Sequence, residues 1–427
     1  MKKLLVLFAK EFPYGVSEPF LELEYPLYKE YFDKALIVTN KPKRGTLRAR
    51  QDRTVNDPAV EIVASEFDRG FLTRLRFAWA VLTDANFYRE ALVIWKRRGN
   101  RLAMLRSLIS CIGKANLCVH AARRRIAALE GEGYCLTAVY AYWLLYPAYA
   151  AVRLNRRYYG GRLFTVSRAH RFDLYENRNP NGYLPCRQYI LRGLSRIASI
   201  SEDGRRYLER TYPEIPMDIA LHRLGARDVG SMLEVGKDSG PLRIVSCARA
   251  VPVKRIERIL EALMEIRTFD VEWTHLGGGE KLEQLRAQAK GLPPNVKCVF
   301  PGTVSNTDVY RYYAAHFYHV FVSTSQSEGV PVSIMEAMSF GTPVIATAVG
   351  GVGEMIDHGV NGYLLKESFD TAELVEALSV LHAMDASAYR AMRRAARDMY
   401  RQRFNAQTNY RAFLAELSAQ RPAAPGS

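Results

Sequence analysis

Two carboxylates, Glu328 and Glu336, stand with seven residues between them in the stretch Ser323–Glu354. An apolar run, His319-Val320-Phe321-Val322, precedes them and reads as a short buried strand. The polar turn after it carries Glu328. A helix is expected over Val332–Phe340, so Glu336 falls about one turn into it. Gly341-Thr342-Pro343 ends that helix, and Val344–Thr347 is the next strand. A helix start leaves amides unpaired, and its dipole favours an anion. Pro331 has no N–H, so the donors fall to Val330, Val332 and Ser333. A carboxylate accepts two hydrogen bonds from a vicinal diol. The arrangement therefore suits a sugar nucleotide, with one glutamate on a ribose, the other on a hexose and the amides on the diphosphate. Taken alone, two glutamates at a helix start are also what the dipole favours in a solvated surface helix.

The flanking Gly341-Thr342-Pro343-Val344-Ile345-Ala346 and the turn Gly350-Gly351-x-x-Glu354 make the pattern more specific. Together they resemble the Glu-x7-Glu signature of family 4 of the retaining glycosyltransferases. The resemblance implies the GT-B fold, an α/β architecture of two Rossmann-like domains facing across a cleft. It implies that Glu328 contacts the donor sugar and Glu336 the ribose of the nucleotide.

Upstream, a strand over Leu242–Ala248 leads through a turn to a helix over Ile256–Ile266, with Arg249 and Lys254 flanking the turn. Two fixed cations there can neutralise a diphosphate leaving group as its charge develops. The family has an Arg and a Lys in this place that grip the donor phosphates. The strand Val271–Leu276 ends in Gly277-Gly278-Gly279, which does not satisfy G-x-G-x-x-G. It resembles the family's glycine-rich turn beside the nucleotide, which assigns Gly279 to donor binding. Val304, after the strand Val296–Phe300, falls close to where the family holds the base.

In the first half, a strand over Leu4–Ala9 is followed by the turn Phe12–Glu18 and a helix over Ser17–Glu30, with Ser17 as N-cap and Pro19 in the first turn. Gly15 lets backbone approach a ligand closely. In the resembled family a glycine loop here closes over donor phosphate and acceptor; many members have two adjacent glycines where this chain has one. The strand Leu163–Val166 precedes Ser167–Asp173, which resembles the family's His-x-x-Asp element. That resemblance puts His170 beside the reacting centre, whereas a lone histidine is more often structural. Many members have glycine after this histidine; Arg171 stands here and suits an acidic acceptor group. Asn177–Pro185 is a polar loop on the acceptor side.

The chain has 427 residues, which implies more than one domain. The expected domains are 1–222, an acceptor-side Rossmann-like domain with a basic helical region; 241–400, the nucleotide-sugar domain; and 401–427, a helix crossing back and a disordered tail. Residues 221–240 read as the linker. Six scattered cysteines show no zinc spacing and read as reduced thiols of a cytosolic protein. The start, Met1–Phe12, is too short in its apolar run for a signal segment and reads as the first strand. His316 and His319 lack an acidic or Cys partner, so no metal site is expected, and no cofactor beyond the donor substrate.

Lys and Arg number 60 against 44 Asp and Glu, a formal charge of +16 that calls for an anionic partner. No nucleic-acid motif accompanies it. The region Phe71–Glu130 is helical in pattern and basic, with Lys96-Arg97-Arg98 and Arg123-Arg124-Arg125. It reads either as a membrane-surface face or as a solvated one. Cys135–Val152 has no charged residue over 18 positions, but its tyrosines and Pro147 favour a buried strand, a turn and a helix over a membrane span.

The stretches Phe12–Glu18 and Ser167–Glu176 look like those of bacterial exopolysaccharide and lipopolysaccharide enzymes of the family. The expected function is hexose transfer from a nucleotide-diphosphate sugar, UDP by preference, to a glycan on a polyprenyl diphosphate. The enzyme would sit on the cytoplasmic face of the plasma membrane, bound to anionic lipid. The rivals are a sugar-nucleotide epimerase of the same fold and a non-catalytic binding subunit of a polysaccharide assembly complex.

Overall fold

The computed structural model describes residues 1–15, 18–41, 53–66, 71–179, 181–230 and 240–422. The expected N-cap Ser17, residues 231–239 of the expected linker and the expected tail from 423 lie outside them. The chain forms two compact units, Met1–Arg223 with Gln407–Ser427, and Leu224–Ala406.

The first unit is built on seven strands: β1 (Lys2–Phe8), β2 (Lys34–Lys41), β3 (Val60–Glu66), β4 (Tyr134–Ala141), β5 (Phe164–Ala169), β6 (Arg196–Ser199) and β7 (Ile219–Leu221). All pair in parallel, in the order β3-β2-β1-β4-β5-β6-β7. Leu4–Leu7 and Leu36–Val38 are fully buried, the unbroken apolar run of a parallel sheet covered on both faces. The uncharged stretch Cys135–Val152 is β4, a turn and the buried start of the helix Tyr146–Tyr158.

Three helices, Phe71–Leu82, Ala85–Lys96 and Arg101–Gly131, stand between β3 and β4. Among the described residues only the third is long and apolar enough to cross a membrane, by length and composition. Its Leu108, Ile112, Ala115, Val119 and Ile126 share a core with Leu4, Val6, Leu36 and Leu136. Its periodic apolar stripe is thus spent on covering the sheet.

Three expectations need correction. The first helix begins at Leu21 rather than Ser17 and passes at Tyr25 into a 3-10 segment with Pro26 in its first turn. β5 runs on to Ala169, so Arg168 is a strand residue, fully buried, and not part of the loop. Its guanidinium meets Glu24 at 3.0 Å and the Tyr140 hydroxyl at 2.7 Å and lies 4.3 Å from the Phe413 ring. That cluster ties the helix Ala406–Ser418 to this unit, as do Lys3 Nζ on the Ser418 carbonyl and Arg196 on Glu416. Third, 221–240 is not a plain linker: Leu221 ends β7, and Ala226 bridges in parallel to Asn405.

The second unit has six strands: β8 (Leu242–Cys247), β9 (Val271–Leu276), β10 (Val296–Gly302), β11 (Val320–Ser323), β12 (Val344–Thr347) and β13 (Gly362–Leu365). They are parallel, in the order β10-β9-β8-β11-β12-β13. Both sheets place their first and fourth strands side by side among these elements. At that reversal of strand order a crevice opens beyond the carboxyl ends, where open α/β sheets bind ligands.

Candidate active site

In the second unit the reversal lies between β8 and β11, and the loops that leave these strands are laced together. Gln326 N donates to the Val253 carbonyl at 2.9 Å, and Thr324 Oγ1 to that of Arg255 at 2.8 Å. Arg255, in a left-handed conformation at φ 47°, returns a hydrogen bond from Nε to the Thr324 carbonyl at 2.8 Å. The lacing fixes Lys254, at the end of the turn Pro252–Lys254, against Glu328. Lys254 Nζ lies 2.5 Å from Glu328 Oε1, with the carboxylate nearly buried and the ammonium about three-quarters so.

Glu336 sits in the helix Val332–Ser339, buried, and accepts from Asn306 Nδ2 at 2.6 Å. Burial pushes its pKa up to about 7, against the pull of the Asn306 hydrogen bond. The Cys247 thiol at the end of β8, itself pushed up to about 12 by burial, is acted on by both Glu336 and Lys254. The two predicted groups therefore share one neighbourhood. Val332 and Ser333 open the helix with no acceptor for their amides inside it, and Pro331 offers no side-chain cap. Val330 is buried beside them. Arg249 is exposed on the loop after β8 and makes no ion pair among the described residues.

Close approach explains two of the glycines. A Cβ on Gly350, at φ +54°, would stand 2.1 Å from the Glu328 carbonyl oxygen, and Gly351 N donates to the Gly329 carbonyl at 2.8 Å. The Gly350–Glu354 turn is thus a backing for the Glu328 loop. A Cβ on Gly279, at φ +149°, would meet the Ala250 carbonyl at 2.5 Å, so the turn after β9 presses on the loop that carries Arg249. Val304, half-buried, follows Thr303, whose hydroxyl would contact a side chain at Gly278.

The first unit repeats the logic at β1 and β4. Glu18, buried at φ 62°, accepts from the amides of Lys10, Glu11 and Phe12 at 2.6, 2.9 and 2.7 Å, and from Trp143 Nε1 at 2.9 Å. It draws the loop after β1, with Gly15 at φ 74°, onto Trp143 in the turn that leaves β4. His170 follows β5, its ring 4.5 Å from that of Trp143 and 4.8 Å from that of Tyr142. Asp173 is fully buried and accepts from Leu144 N and His170 N, both at 2.8 Å, with His170 Nδ1 3.4 Å away. Asp173 holds the ring by Nδ1 and leaves the buried Nε2 without a partner among the described residues.

Sequence reasoning did not single out Glu18, Trp143 or Asn306. A carboxylate just after Gly15 and before Pro19 was a usable signal for Glu18; nothing local marks the other two.

The family model Glycosyl transferases group 1 matches residues 232–399. WcaL of Escherichia coli K12, whose name assigns it to colanic acid biosynthesis as a glycosyltransferase, is 25% identical over 267 residues, 61% of this chain and 64% of WcaL. The chain thus spans less than two thirds of the length of the first curated relatives it matches. Among solved structures, the lipopolysaccharide outer core galactosyltransferase WaaB in its apo form aligns with 96% of this chain and 98% of its own, at TM-score 0.63 and 13% identity. Anabaena HepE in complex with UDP aligns with 98% of this chain and 100% of its own, at TM-score 0.62 and 18% identity. At these identities the likeness is one of fold, and that fold is GT-B. Residues 232–399, which carry Lys254, Glu328 and Glu336, are a domain of the Glycosyl transferases group 1 family.

Proposed function

We propose that this chain is a retaining glycosyltransferase. It moves a hexose from a nucleotide-diphosphate sugar, UDP by preference, to a glycan acceptor on a polyprenyl diphosphate in bacterial surface polysaccharide synthesis. The observation that carries the reading is the Lys254–Glu328 pair at the strand reversal. It sets an acceptor for sugar hydroxyls beside a donor for phosphate oxygen. A sugar joined through its anomeric carbon to a diphosphate presents those two groups side by side. The names of the relatives support surface polysaccharide as the product, and HepE, a neighbour in fold, was solved with UDP.

In this reading Glu336 accepts the ribose hydroxyls and Glu328 those of the hexose. Lys254, Arg249 and the amides of Val330, Val332 and Ser333 hold the diphosphate. Gly279 and Val304 flank the nucleotide. As the bond from the anomeric carbon to the diphosphate oxygen breaks, these donors stabilise the departing charge. The acceptor oxygen bonds to the same face, and its proton passes to the leaving phosphate. His170 and the Gly15 loop serve the acceptor side. The basic helical region rests on an anionic membrane at the cytoplasmic face.

The test is a thermal-shift screen of UDP- and GDP-sugars, followed by mass spectrometry of products formed on a polyprenyl-diphosphate glycan. A glycosylated product whose anomeric configuration matches the donor supports the reading. Free nucleotide released without acceptor would replace it by epimerisation. Donor binding without any product would leave a binding subunit.

A further inference from the structure

The helices Phe71–Leu82, Arg101–Gly131 and Tyr146–Tyr158 line a cavity of about 340 Å³ that is open to solvent. That lies at the small end of the range for ligand pockets, about 300–1,000 Å³. Arg76, His120, Arg153 and Arg157 line it, and no carboxylate does. The nearest acid to Arg153 is Asp84, 3.6 Å away and fully buried. Asp84 is already engaged by the Tyr149 hydroxyl at 2.8 Å and Asn116 Nδ2 at 3.0 Å. The Nε of Arg153 is buried and makes no hydrogen bond among the described residues. Partial burial lowers the pKa of His120, and Arg124, Arg76 and Arg157 lower it further, so three guanidiniums act on one ring. Asp84 answers only Arg153, and the exposed Arg76, His120 and Arg157 stand together at the mouth of the cavity, where an anion seated among them would be favoured.

The rim has a second character. Trp79 lines the cavity and is 71% exposed. Leu75 and Leu82, four residues before it and three after on the same helical face, are 57% and 53% exposed. The next helix exposes Leu92 and Trp95 at 67% and 72%. A water-facing surface does not select such residues, whereas Trp beside Arg is the composition of a membrane interface.

We propose that this cavity binds the phosphate of an anionic amphiphile. The headgroup sits among Arg76, His120, Arg153 and Arg157, and Trp79, Leu75 and Leu82 enter the apolar layer. Charge complementarity selects the phosphate, and the exposed apolar rim selects a lipid over a free anion. The inference deepens the membrane contact of the function proposed above, rests on that part of it alone, and requires no sugar transfer.

The test uses the full chain and co-sedimentation with vesicles of phosphatidylcholine, alone or with phosphatidylglycerol, at fixed ionic strength. Arg76→Gln/Arg157→Gln removes two charges from the cavity, and Trp79→Ser removes the rim aromatic. Arg390→Gln/Arg394→Gln removes two exposed charges from the other unit and serves as control. Each basic residue near an anionic surface contributes about 1 kcal/mol, so the cavity pair is expected to weaken binding to phosphatidylglycerol vesicles by at least about tenfold. The control pair changes it less than threefold, and all variants keep the wild-type melting temperature. Competition by millimolar inorganic phosphate would mark the bare phosphate as the recognised group; its absence, with the Trp79→Ser loss, would mark the lipid. If the cavity pair binds vesicles like wild type, the cavity proposal falls and membrane contact stands. If wild type binds no vesicles, both fall, and the transferase reading is untouched.

Discussion

Lys254 Nζ stands 2.5 Å from Glu328 Oε1, the carboxylate nearly buried and the ammonium about three-quarters so. Removing the ammonium takes away the proposed phosphate donor and also leaves a nearly buried carboxylate without its counter-charge. Lys254→Ala is therefore expected to lower turnover by about 10²–10³-fold. It is also expected to lower the melting temperature, because an unpaired buried charge costs free energy. Glu328→Gln keeps the shape and an oxygen that accepts from Lys254 but removes the counter-charge, so it should lose activity with a smaller loss of stability. Turnover with a nucleotide-sugar donor and a thermal melt on each variant decide the matter. Wild-type turnover in both variants would remove the pair from the mechanism.

Glu336 supplies a pH dependence whose sign can be worked out. Its pKa rises from an ordinary 4.5 to about 7, chiefly by burial. Between those values the folded chain holds a proton that the unfolded chain has released. The contribution of Glu336 to stability therefore falls as pH rises from about 4.5 through about 7. Ribose hydroxyls donate best to the ionised carboxylate, so donor affinity should rise as pH climbs from 6 to 8. A nucleotide-diphosphate sugar is the suitable probe, because its diphosphate carries no proton in that range. Glu336→Gln should bind more weakly at pH 8 and lose the slope. Calorimetric titration at three pH values measures it.

Much of this was legible in the chain because parallel sheets write themselves plainly. Strands such as Leu4–Phe8 and Val320–Val322 are buried on both faces and read as unbroken apolar runs between polar turns. The grouping of Lys254 and Glu328 was legible for a related reason: both lie in the loops that leave adjacent strands, with Glu336 in the helix that follows the second loop. What escaped depended on contacts distant in sequence. Asn306 reaches Glu336 across 30 residues, and Trp143 reaches Glu18 across 125. The expected strand stops at Val166, short of Arg168, because an arginine in a central strand violates the apolar pattern. Glu24, Tyr140 and Phe413, distant in sequence, gather around it in the fold.

Gly350 tests whether the turn behind Glu328 is structural backing. A methyl there meets the Glu328 carbonyl oxygen at 2.1 Å, and the backbone φ of +54° is strained for any other residue. Gly350→Ala must push the Glu328 loop toward the Lys254 side or unwind the turn. A displacement near 1 Å in a positioning loop costs on the order of 10²-fold in rate. Donor affinity and turnover should fall together, while Gly353→Ala, which has open space at its Cβ, should behave like wild type. Equal activity of the two variants would show that the turn is not needed to hold Glu328.

Glu18 poses the matching question in the first unit. Its carboxylate gathers three backbone amides and the Trp143 indole, and the His170 ring lies 4.5 Å from that indole. Glu18→Ala would leave several of these donors buried and unpaired, at about 1–3 kcal/mol for each that finds no water. A loss of about 2 kcal/mol would lower the melting temperature by roughly 4–8 °C for a unit of this size. Glu18→Gln should fall between, since its amide nitrogen faces donors where the carboxylate had an acceptor. Because every partner of Glu18 lies in the first unit, nucleotide affinity should survive while transfer to acceptor declines. A titration with UDP and a transfer assay on the same preparation separate the two. A variant that loses UDP affinity and keeps its melting temperature would show that Glu18 serves the donor rather than the scaffold around His170.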